Sequence, residues 1–301
     1  MNTQKKLLVL LDGSERALDS VHYVASVRSF SSMTVVVLLN VSAQVPQSYL
    51  DLERKPGSPD DGTGISSWVA HQEKKRIEYM RRAEQILKES GISAVEIRVR
   101  KIVRGVARDI LVEAKEQYSA VVLTRRGMGL LAGLPVGSVA NKLLQKMSFS
   151  PIILAAPNVR SDRLLIAVDG SADSLRAVSF AVDMLGEGQH VGLIHVMRNM
   201  PGLDFMMTDA DVEKAKAIIE DQFVTIREQL VQTGVRPEDV TSKIVEGSIS
   251  RAGSILDEAI AGNYDTIVLG RKGLSEVSDF SMGRVSTKIV QLGETFAVWL
   301  I

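Results

Sequence analysis

The 301-residue chain reads as two tandem α/β domains, residues 1–158 and 159–301, each a mainly parallel five-stranded sheet with helices on both faces. A pseudo-two-fold axis relates them. Three observations carry this reading. One stretch is written twice, as TRRGMGLLAGLPVGSVANK at 124–142 and as GRKGLSEVSDFSMGRVSTK at 270–288. Short apolar runs without alternation, such as Val121-Val122-Leu123 and Ile267-Val268-Leu269, suit strands covered on both faces. Between them lie helix-like segments, the pattern of right-handed βαβ crossovers.

Taken in order, the apolar run at 7–11 closes on Asp12-Gly13-Ser14, and its echo at 164–168 closes on Asp169-Gly170-Ser171. Helices are expected at 17–27 and 175–185, with Ser14 and Ser171 placed to cap them. Second strands are expected at 34–41 and 190–197. Beyond them the halves differ in length, since Gly105 lies 93 residues after Asp12 and Gly247 lies 78 after Asp169. The fifteen or so extra residues are assigned to 44–66, where Pro46, Pro56, Gly57, Pro59 and Gly62 give a loop composition. Helices return at 67–90 and 209–233; in the latter Val212, Ala215, Ile219, Phe223, Ile226 and Leu230 form one apolar face. Matched strands ending in KIVRG (101–105) and KIVEG (243–247) precede helices at 110–117 and 255–261. Each half ends in an apolar strand, 151–156 and 296–301, and the second, FAVWLI, carries no charge. Such an edge needs covering, and antiparallel pairing with its counterpart in the other half supplies it.

Composition narrows the class. The 36 basic and 36 acidic residues cancel, which argues against a dedicated nucleic-acid binder. The absence of cysteine removes disulfides, thiolate catalysis and thiolate metal sites. Five apolar residues before Asp12 are too few for a signal peptide or a membrane span, so a soluble cytoplasmic protein is expected.

Within the repeated stretch Gly127 and Gly137, like Gly273 and Gly283, are separated by nine residues, and the second glycine opens a helix. A glycine loop leaving a strand lets backbone N–H groups approach a ligand, and the helix start adds unpaired N–H groups and a positive dipole end. That geometry suits phosphate. Glycine pairs also serve plain turns, so the duplication is what strengthens the signal.

On these residues both halves resemble universal stress protein domains, and the chain resembles a tandem universal stress protein. The family pattern is a first-strand Asp, then a loop of glycine, two residues, glycine, nine residues, glycine and Ser or Thr. Gly270, Gly273 and Gly283 match, with Arg284 in the Ser/Thr place; Gly127, Gly137 and Ser138 match, with Thr124 in place of the first glycine. The resemblance implies a Rossmann-like, adenine nucleotide α-hydrolase-like fold that binds ATP or another adenine nucleotide in many members and none in others. It places Asp12 and Asp169 beside the adenosine, the backbone of Val41 and Val196 against adenine, and the loop glycines by ribose and phosphates. The implied contact set is Asp12, Gly13, Val41, Arg126, Gly127, Gly137, Ser138 and Val139, and then Asp169, Gly170, Val196, Gly270, Arg271, Gly273, Gly283, Arg284 and Val285. The implied ligand is ATP or AMP, with or without Mg²⁺. The fused halves form an internal pseudo-dimer, compatible with a homodimer of tandem chains and with a protein partner that the sequence does not name.

The two loops differ. Arg125 and Arg126 stand in the first without an acid, whereas Glu276 and Asp279 enter the second, where Arg271, Lys272 or Arg284 must offset them. Loop one is therefore the better triphosphate site, and loop two suits a shorter phosphate chain. Asp12 and Asp169 also admit a plain reading as caps of the following helix. His195 reads as a packed strand residue, and His22, His71 and His190 show no metal-ligand spacing. Met197, Met200, Met206 and Met207 beside Phe205 read as flexible filling over a core. With no nucleophile elbow and no GK[ST] loop, a nucleotide-binding stress-response protein without strong catalysis is expected, the alternatives being a weak Mg²⁺-dependent ATPase and a nucleotide-free scaffold.

Overall fold

The structure, a computed structural model, describes residues 5–27, 34–42, 64–127, 135–159, 161–198, 208–274 and 281–301. In the first half the elements are β1 (Lys5–Leu10), α1 (Leu18–Ser26), β2 (Thr34–Ser42), α2 (Ile65–Glu89), β3 (Val95–Lys101), α3 (Val106–Glu113), β4 (Ala120–Thr124), α4 (Ser138–Lys146) and β5 (Ile152–Ala155). The second half repeats the order with β6 (Arg163–Ala167), α5 (Ala172–Met184), β7 (His190–Arg198), α6 (Asp209–Gln232), β8 (Val240–Ser248), α7 (Arg251–Ala261), β9 (Thr266–Leu269), α8 (Arg284–Leu292) and β10 (Ala297–Leu300).

These strands make a single ten-stranded sheet in the order β3-β2-β1-β4-β5-β10-β9-β6-β7-β8. Every pairing inside a half is parallel, and the one antiparallel pairing is the seam, where Val298 faces Leu154 and Leu300 faces Ile152. The uncharged final strand is thus covered by its counterpart, and the two five-stranded sheets fuse. Continuous apolar runs bury both faces. Leu7, Val9, Ile153 and Trp299 pack under α1, α2, α5 and α6, while Leu8, Leu154, Val298 and Leu300 pack under α3, α4, α7 and α8. At the seam Trp299 Nε1 donates to Tyr23 Oη (2.8 Å), which lies 3.0 Å from Thr266 Oγ1, so α1 of one half is tied to two strands of the other.

Two expectations change. KIVEG lies inside β8, but β3 ends at Lys101 and the rest of KIVRG runs into a turn at Gly105, whose φ of +108° starts α3 at once. The repeated letters are therefore out of register: Val36 pairs with Val95, 59 residues on, and Val191 with Val240, 49 residues on, which makes this connection ten residues longer rather than fifteen. Helix α3 begins four residues before the expected start at 110, because the Asp109 carboxylate accepts the N–H groups of Val103 and Arg104 and closes the first turn. Most of the loop expected at 44–66, together with Met200, Phe205, Met206, Met207, Glu276 and Asp279, lies outside the described residues.

Candidate functional site

In each half the winding of the sheet switches between its first and fourth strands, which leaves a crevice beyond the carboxyl ends at β1/β4 and at β6/β9. At the first crevice Gly13, with φ +91°, turns the chain after β1. Asp12 Oδ1 accepts from Ser14 N (2.9 Å) and Ser14 Oγ (2.6 Å), and Ser14 Oγ accepts from Ala17 N (3.2 Å). Ser14 thus caps the 3-10 turn Glu15–Ala17 that leads into α1, rather than α1 itself, whose N-cap is Ala17, and Asp12 holds that cap in place. The carboxylate also explains a glycine: a Cβ on Gly127 would sit 2.0 Å from Asp12 Oδ2. Tyr79 Oη donates to Ser14 O (2.8 Å); burial, then the nearby Asp12 carboxylate, push its phenol pKa up and keep it a neutral donor.

The loop after β4 is closed by Gly137 N donating to Arg125 O (2.8 Å), and Thr124 Oγ1 donates to Arg126 O (2.9 Å). From there α4 starts with no side chain capping it and no acid in its first turn. Helices α1, α2, α3 and α8 also start without a side-chain cap, whereas Ser171, Thr208 and Ser250 cap α5, α6 and α7. A cavity of about 470 Å³ lies in front of this helix start. Leu10, Leu39, Val41, Val106 and Ile110 line its β1, β2 and α3 side, and Asp12, Arg126, Gly127, Gly137, Ser138 and Val139 line its loop and α4 side. Seven of the eight expected first-half residues therefore meet around one space; Gly13 serves the turn beside it. Apart from Val41, the apolar wall was not singled out in the sequence, because Leu10, Leu39, Val106 and Ile110 read there as ordinary core.

The basic residues of the loops behave differently from their sequence reading. Arg125 and Arg271 are both buried and occupy equivalent positions. Arg125 donates through Nε to Val290 O (3.2 Å) and through Nη1 to Phe296 O (2.9 Å); Arg271 Nη1 donates to Leu144 O (2.8 Å). Each guanidinium thus caps carbonyls near the C-terminal end of the opposite half's helix, where a cation is favoured. Desolvation pulls both pKa values down to about 10. Arg271, expected at a phosphate, has its charge committed to the seam between halves. Arg126 also crosses, donating from Nη2 to Glu294 Oε1 (2.7 Å).

The second crevice repeats the skeleton. Gly170 has φ +77°, Asp169 Oδ1 accepts from Ser171 N (3.0 Å), Ser171 caps α5, and a Cβ on Gly273 would lie 2.5 Å from Asp169 Oδ2. Val196 is buried in β7 beside His195, whose Nδ1 lies 2.7 Å from Val168 O and must carry the proton there; Asn40 Nδ2 makes the same bond to Leu11 O (2.8 Å). At Gly270 a Cβ would sit 2.6 Å from the Asp173 backbone carbon, so this glycine admits the start of α5. Asp173 Oδ2 then accepts from Lys272 N (2.9 Å). Arg284 and Val285 open α8, again without a side-chain cap. Where loop one has Thr124, helix α1 starts later, after a 3-10 turn at Glu15–Ala17, and a side chain fits.

With this geometry in place, comparison with known proteins is decisive. The universal stress protein family pattern matches residues 3–154 and again 161–295. The chain belongs to the universal stress protein family. Among curated relatives, the Thermus aquaticus universal stress protein in the QAH/OAS sulfhydrylase 3'region is 30% identical over 128 residues, 42% of this chain and 89% of the relative. The Bacillus subtilis (strain 168) universal stress protein YxiE is 26% identical over 142 residues, 44% of this chain and 93% of the relative. Each therefore corresponds to about one half. A solved universal stress protein from Archaeoglobus fulgidus DSM 4304 aligns over 99% of this chain and 98% of its own, with a TM-score of 0.62 and 19% identity, and so shares the whole tandem fold. Among the described residues no helix is long and apolar enough to cross a membrane, and no three His, Asp or Glu side chains group as a metal site.

Proposed function

We propose that this universal stress protein binds an adenine nucleotide, ATP or AMP, in the first crevice and acts as a nucleotide-responsive regulatory protein in the stress response. The observation that supports the reading is the uncapped start of α4, which faces a cavity whose opposite wall is apolar. Free N–H groups and a positive dipole end suit phosphate, and the wall of Leu39, Val41, Val106 and Ile110 suits a base. Asp12 lines the same cavity and, in this reading, meets the ribose. Only Asp12, Arg125 and Arg126 among the lining residues are charged, Asp12 accepts from Ser14, and no lining histidine offers a base for water. Binding rather than turnover fits that set. Any Mg²⁺ would arrive with the nucleotide's own phosphates, since among the described residues no acids group as a metal site.

The second crevice, in this reading, takes a shorter phosphate chain. Asp173, in the first turn of α5, holds its carboxylate against the loop at Lys272 N, and Arg271 is spent on the seam.

The test is Ser138→Asp in the full chain. Ser138 is exposed at the first position of α4, where aspartate favours the helix but repels phosphate. Calorimetric titration should show ATP affinity falling roughly tenfold or more while adenosine changes less than about twofold. Unchanged ATP affinity at this crevice would remove the proposal.

A further inference from the structure

We infer that the second half tunes the phosphate preference of the first crevice through Glu294. The inference rests on the nucleotide reading above and adds a regulator to it. Arg126 lines the first cavity, yet its guanidinium is held 2.7 Å from the carboxylate of Glu294, which lies in the turn between α8 and β10 of the other half. On the far side of the same loop is a smaller hollow of about 250 Å³, bounded by Arg16, Asp19, Arg126 and Glu294. Arg126 therefore stands between two anions, one fixed in the protein and one arriving as ligand.

The backbone cannot resolve this competition by moving. The neighbouring Arg125 straps the loop to Val290 O and Phe296 O, on either side of Glu294. Only the Arg126 side chain is left to choose. Its pair with Glu294 is 38% and 49% exposed, and ion pairs of that kind are easily broken. An uncharged nucleoside leaves the pair intact, whereas a triphosphate must draw the guanidinium away and meets the Glu294 charge nearby. Coupling is reciprocal, so bound triphosphate loosens one tie across the seam. The device is one-sided: by the spacing that relates Gly137 to Gly283, Lys272 stands for Arg126 in the second half, and Ser148 stands for Glu294.

The experiment titrates ATP and adenosine into the full chain and into Glu294→Gln, Arg126→Gln and the double variant. Glu294→Gln should bind ATP about two- to fivefold more tightly. Adenosine should stay within about twofold, and the ATP gain should vanish when Arg126 is also replaced. The inference is overturned if ATP affinity is unchanged in Glu294→Gln, if ATP and adenosine tighten together, or if the gain survives without Arg126. Wild type that binds ATP as tightly as Glu294→Gln sinks this inference alone; no ATP binding by either protein sinks the nucleotide reading with it.

Discussion

Asp265 offers a pH test of how the two halves are joined. It stands just before β9, and its Oδ2 accepts the N–H groups of Asp162 (3.1 Å) and Arg163 (3.0 Å), which lead from the inter-half connection into β6. Burial outweighs these bonds and raises the carboxyl pKa from 3.8 to about 6. The folded protein thus holds this proton more tightly than the unfolded chain does. Its contribution to stability is complete below pH 3.8 and is lost as pH rises through about 6. A shift of about two units corresponds to at most about 3 kcal/mol. Asp265→Asn cannot ionise and keeps an acceptor oxygen. Urea unfolding of both proteins from pH 4 to pH 8 should show the variant gaining on the wild type by up to that amount, most steeply between about pH 4 and 6 and levelling off above that. Parallel pH curves, or a wild type that gains on the variant as pH rises, would refute the argument.

Three further outcomes are expected. Gly127→Ala should cost about 1–3 kcal/mol in thermal unfolding, because its Cβ meets Asp12 Oδ2, and Asp12→Ala in the same chain should recover part of the loss. Trp299→Phe removes the buried donor to Tyr23 Oη and should cost about 1–3 kcal/mol; with Tyr23→Phe added, the double variant should lose less than the sum in urea unfolding. Arg98 binds Glu96, Glu113 and Glu116, and Glu113 is only 7% exposed, so Arg98→Ala should lower stability by about 2 kcal/mol or more. Arg82→Ala, which breaks the exposed pair with Glu15, should cost less than about 1 kcal/mol by the same measurement.

The order of elements was legible because it rests on local signals. Unbroken apolar runs gave β1, β4, β6 and β9; Ser171 marked the start of α5, and Ser14 the 3-10 turn that leads into α1. The seam was legible too, since an uncharged strand such as FAVWLI has few places to go. Register was not: KIVRG and KIVEG share letters but straddle different turns, and strand register follows from pairing across the sheet rather than from spelling. Nor did the basic loops disclose where their charges point. Arg125 and Arg271 sit among glycines like phosphate ligands, and only the docking of two halves decides that each reaches the other half's carbonyls. Gly127 and Gly270 were read as room for a ligand, yet the nearest atoms to a Cβ there belong to Asp12 and Asp173.

The antiparallel contact between β5 and β10 also dictates orientation on a larger scale. Strands of one half point the opposite way from those of the other, while α3, α4, α7 and α8 share a single face. The two crevices consequently look out from opposite rims of that face, like doors at the two ends of a corridor. The corridor wall between them is where Arg125, Arg126 and Arg271 cross from one half to the other.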